Sequence, residues 1–149
     1  MQSVSTDAPQ RLGIEAAGCR VVVVGRHVRL AAPACGELRG GWLRLAPPVD
    51  GEPEWVAYDI PGDTAVVAIA ARDGAAVDVP DTLALSLDDV ELRATHGATL
   101  HVAPFRVATL VASASHGSVI HSTVSCARAS RYADTTSRLP CVHVEPRID

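Results

Sequence analysis

Four histidines offer the most specific chemistry in this chain, and they arrive in two copies of one phrase, "HGATLH" at 96–101 and "HGSVIH" at 116–121. A third version, "DGAAVD" at 73–78, puts Asp73 and Asp78 at the same places. If equivalent positions lie on adjacent strands about 4.8 Å apart, His101 stands over His121 and His96 over His116. Imidazoles so placed are candidate ligands for Zn²⁺, which takes nitrogens at about 2.0–2.1 Å, and Asp78 would complete a two-His, one-carboxylate set. A straight ladder of three nevertheless spans about twice the strand spacing, too far for one ion unless side chains bend. The competing reading is a solvated polar row on an outer face. Stacked imidazoles also imply acid sensitivity, because protonating both sets like charges face to face.

Other reactive residue types assemble less well. Cys126 with His121 or His143, or Ser113 and Ser115 near His116, can be paired on paper, yet no G-x-S-x-G elbow or flanked catalytic cysteine occurs. No catalytic residue is assigned, and the reading leans away from an enzyme. Trp42, Trp55 and Tyr58 are candidate ligand contacts for a sugar or a protein partner, since aromatic faces give large contact area at low entropy cost. Trp55 and Tyr58 could equally shield an open end of the core. Cys19, Cys35, Cys126 and Cys141 form no CxxC motif, and they suit either two disulfides or small buried apolar positions.

The elements that must hold these residues read as strands. Short apolar runs, rich in Val and broken by Gly, Pro and Asp, predict strands at 20–24, 27–31, 42–46, 55–60, 64–71, 75–79, 82–87, 90–95, 99–103, 106–113, 118–126 and 141–145. No helical stripe appears. Residues 1–10 read as a flexible terminus, and 11–149 as a single all-β domain with "APPVDGEPE" at 46–54 as its longest loop. Glycines 74, 97 and 117 lead the three phrases at intervals of 23 and 20, with fainter copies at Gly25 and Gly40. Such periods are where coiled repeats are sought first. One coil of a short right-handed parallel β-helix fits about 20 residues, and the alternative is an antiparallel β-sandwich. In the helix, Val77, Leu100 and Ile120 form an inward row. Asp78, His101 and His121 form an outward row, Asp73, His96 and His116 mark a corner, and the solvent-facing slots are free to vary.

Composition sets outer bounds. Net charge is −4, and all thirteen basic residues are Arg; Lys and Asn are absent. That excludes Schiff-base and phosphate-loop lysines. Scattered arginines on an acidic chain argue against nucleic acid as a partner. No apolar run reaches the ~20 residues of a membrane span, and no leader is visible at "MQSVSTDAPQ", which implies a cytoplasmic protein unless a leader has been removed.

From about Asp78 to Ser125, with the steps "THGAT" at 95–99 and "SHGSV" at 115–119, the chain resembles the autotransporter-adhesin head GIN group of bacterial β-helix domains. The resemblance covers about a third of the chain, and His stands where the group has a small residue before Gly. It implies a β-helix and a structural, adhesion-type role through self-association or a protein partner, with no catalytic residues to transfer.

Overall fold

The computed structural model describes residues 11–47, 55–139 and 141–144. The flexible terminus expected at 1–10 and most of the proline-rich loop therefore lie outside the described residues. Thirteen strands run in chain order: β1 Arg11–Ala17, β2 Arg20–Val24, β3 His27–Arg39, β4 Trp42–Ala46, β5 Trp55–Asp59, β6 Ala65–Arg72, β7 Ala76–Val79, β8 Asp89–Thr95, β9 Thr99–Val102, β10 Phe105–Ser115, β11 Val119–His121, β12 Thr123–Ala133 and β13 Cys141–Val144. The protein is all-β, with no helix among the described residues.

The strands make two mixed sheets joined through β3. One runs β4-β1-β6-β8-β10-β12-β13, each neighbour parallel to the next. The other runs β3-β2-β7-β9-β11, parallel from β2 onward. Every antiparallel pairing among the described residues belongs to β3, which meets β2, β4 and β5. The fainter glycine copies fall in these hairpins, where Val24 pairs with His27 across Gly25 and Arg39 pairs with Trp42 across Gly40. They are turns between antiparallel strands and share no register with the other three.

Alternation builds the core. In β1, β8 and β10 every second residue is buried: Leu12, Ile14 and Ala16; Val90, Leu92 and Ala94; Leu110, Ala112 and Ala114. Successive side chains of a strand point to opposite faces, so one face of each sheet turns inward as aliphatic rows. In the second sheet Val21, Val77, Leu100 and Ile120 stand side by side on β2, β7, β9 and β11, all buried. Aliphatic side chains of similar size stacked this way fill the interior without large aromatics.

Five segments depart from the sequence expectation, the first being β3, which runs past 31 to Arg39. The Leu alternation at 82–87 is no strand: Asp81 Oδ1 accepts the Leu83 N–H, and Ser86 Oγ accepts the N–H groups of Asp88 and Asp89. These side chains fold the segment into local turns, leaving Leu83 and Leu87 67% and 78% exposed. The strand expected at 118–126 is broken at Ser122. Arg11–Ala17, with Gly and Ala in place of β-branched residues, is a strand the composition hid, and β12 continues through the polar "ASRYA" to Ala133.

Candidate functional site

The structure brings the paired histidines together as the register requires. Asp78, His101 and His121 are opposite one another on β7, β9 and β11, all exposed. His101 Nδ1 lies 3.5 Å from Asp78 Oδ1, and the rings of His101 and His121 are 5.7 Å apart and tilted by 52°. At the corner, His96 and His116 stack at 4.5 Å with their planes within 9°. Parallel stacked rings keep their nitrogens about a ring spacing apart, whereas one metal ion needs them converging. Among the described residues no three His, Cys, Asp or Glu side chains form a set that could hold a metal ion.

The corner slots are not free to vary. Asp73, His96 and His116 have φ of 55°, 56° and 58°, and each is followed by a glycine near 76°. Two successive residues in the left-handed region make a tight turn, closed at the first corner by Ala75 N–H to Arg72 O. Glycine N–H groups then join corner to corner, Gly74 to His96 O and Gly97 to His116 O.

A different part of the surface forms a hollow. On the outer face of the β4-β1-β6-β8 region, Trp42 opposes Gly13, Gly13 opposes Ala68, and Ala68 opposes Glu91. Two residues further on, Arg44, Glu15, Ala70 and Arg93 form the adjoining row. The small residues Ala68 and Ala70 leave a trough of about 400 Å³ between Trp42 with Arg44 on one side and Glu91 with Arg93 on the other. The indole leans over Gly13 so closely that a Cβ there would lie 2.6 Å from its Cε3. Only glycine permits that contact. Glu15 forms ion pairs with Arg44 Nε at 3.6 Å and Arg72 Nε at 3.5 Å, and Arg93 meets Glu91 at 2.6 Å.

Tyr58 sits elsewhere, on β5 against Val28 of β3, partly buried against the core, and burial raises its pKa. Of Trp55 the structure describes only the backbone, opposite Ala34. Trp42 is the one of the three that the described residues place in the trough. The thiols divide as well. Cys126 is fully buried, Cys19 and Cys35 are half-buried and free, and the Cys141 side chain lies outside the described residues. Cys19 donates to Leu45 O at 3.6 Å, and burial pushes its pKa up.

Sequence reasoning passed over Asp134. Its carboxylate accepts the His116 N–H at 2.8 Å, the Thr136 N–H at 3.2 Å and the Thr136 hydroxyl at 2.9 Å, closing the last corner with side chains where the others use backbone. The signal available was "DTTS", a run of residues that favour side-chain-to-backbone turns. The His116 N–H, aided by the Ser137 and Thr136 hydroxyls, holds this carboxyl well below the usual carboxylate range. A depressed folded-state pKa contributes stability that is fully present above the unfolded value of about 3.9 and fades as pH falls toward the folded one. Melting temperatures measured from pH 6 to pH 3 should therefore fall more steeply for the wild type than for Asp134→Asn, which starts lower at pH 6. Parallel curves would remove Asp134 from the acid response.

No family model matches the chain, and neither a curated protein nor a solved structure is significantly similar to it.

Proposed function

We propose that the chain is a non-enzymatic structural module of the parallel β-helix class, with coils of about 20 residues, acting by self-association or by binding a protein partner. The parallel registers of β7, β9 and β11 and of β6, β8, β10 and β12 support the helix, and crossovers between parallel strands favour a right-handed winding. An adhesion-type role agrees with the resemblance carried by the 78–125 segment. One observation carries the partner reading. β12 pairs with β10 as far as Ala133, but beyond Cys126 its other side has no strand neighbour among the described residues. A strand side left open in this way among the described residues is a template for another strand.

The chemistry of that edge narrows the partner. Arg128, Arg131 and a 62% exposed Tyr132 lie along it, so an acidic strand fits, and a chain of net charge −4 supplies acidic surface of its own. Sedimentation velocity across a wide concentration range should show reversible oligomers that weaken as salt is raised. Arg131→Glu should shift them to monomer while preserving the melting temperature. Monomer at every concentration in the wild type would overturn self-association.

A further inference from the structure

We infer that the Trp42 trough is a binding site for neutral carbohydrate, with the indole as a stacking face and the flanking ion pairs as hydroxyl partners. This goes beyond the edge-mediated role, uses a different surface and stands or falls separately. Three features of the trough point to that ligand class.

The first is shape. A floor of Ala68 and Ala70 on β6 lies between Trp42, Arg44 and Glu15 on one side and Glu91 and Arg93 on the other. A volume of about 400 Å³ lies within the range of small-molecule sites.

The second is the indole. Trp42 is half-buried, with one face laid on the Gly13 backbone, which fixes its orientation before any ligand arrives. A fixed aromatic face loses little entropy on binding, and it suits the C–H face of a pyranose ring.

The third is charge. Three arginines and two glutamates line the trough, and each is already paired: Arg44 and Arg72 with Glu15, Arg93 with Glu91, and Arg72 additionally with Asp73 at 3.1 Å. Each arginine keeps N–H groups beyond those facing its carboxylate, since a guanidinium carries five donors. A sugar hydroxyl displaces nothing, because it accepts from a guanidinium N–H and donates to a carboxylate at once. Mixed arginine and glutamate side chains therefore offer both halves of a hydroxyl's hydrogen bonding, of which an anion, with no proton to donate to Glu15 or Glu91, uses only one.

Trp fluorescence titration with neutral hexasaccharides (cello-, malto-, xylo-, chito- and galacto-series) tests this, with sulfated and uronate oligosaccharides as charged controls. At least one neutral series should bind with Kd of about 1 mM or tighter. Trp42→Ala should weaken it by about tenfold or more, with an unchanged circular dichroism spectrum. Should Trp42→Ala misfold, Ala70→Tyr fills the floor while leaving the indole in place, and the same loss is expected, read by calorimetry. Binding by none of the neutral series, binding confined to the charged controls, or binding unchanged in Ala70→Tyr would each overturn the assignment.

Discussion

Leu100→Ala should lower the unfolding free energy by about 4 kcal/mol, toward the upper end of the 2–5 kcal/mol seen for buried leucines. Leu100 is 0% exposed and lies between Val77 and Ile120, themselves buried. β9 is hydrogen-bonded to β7 on one side and β11 on the other, so the backbone cannot close over the void. The cavity therefore persists, and the truncation costs lost packing as well as lost transfer energy. For a domain of typical stability, about 5–15 kcal/mol, that is a large fraction of the total. Urea titration reads it directly, as a midpoint shift at constant slope. Leu87→Ala is the control, since Leu87 is 78% exposed and should move stability by no more than about 0.5 kcal/mol. Equal midpoints for the two variants would mean that the inward row does not carry the core.

The inward rows were legible because each local cue agreed. Gly opened each phrase, an aliphatic residue followed three positions later, and alternation said which face it took. Segments were misread where side chains intervened in backbone hydrogen bonding, as at Asp81 and Ser86, or where a strand used weak formers, as at Gly13 and the alanines of β1. One of those weak formers, Gly13, is the backbone under the Trp42 indole. A residue too small to announce a strand is what lets Trp42 lie down on it, and the sequence places the two 29 positions apart with β2 and β3 between. Trp42 was therefore visible as an aromatic, but its setting was not. Pairing of β1 with β4 arises only after β3 has crossed from one sheet to the other. The histidines show the reverse case: matching letters found the pairs at once, while their backbone conformation stayed hidden.

That conformation explains why Asp and His alternate at the corner, and it yields the second large effect. Left-handed backbone is costly for most residues and least so for Gly, Asn, Asp and His. This chain contains no Asn, so Asp73, His96 and His116 occupy slots where φ exceeds 55° or sits close to it. His96→Val should destabilise by about 1–3 kcal/mol, because a β-branched side chain there collides with its own backbone. His96→Asn should stay within about 1 kcal/mol of wild type, since Asn tolerates the region. Both variants abolish the imidazole stack on His116, so loss of ring contact is common to them and cancels in the comparison. What remains is the backbone term alone. Chemical denaturation of the two side by side measures it, and a Val variant as stable as the Asn variant would show that the corner can rotate out of the left-handed region at no cost. The stacked corners could not then be fixed by their backbone, and the inter-corner bonds from Gly74 to His96 and from Gly97 to His116 would have to reform around a different turn.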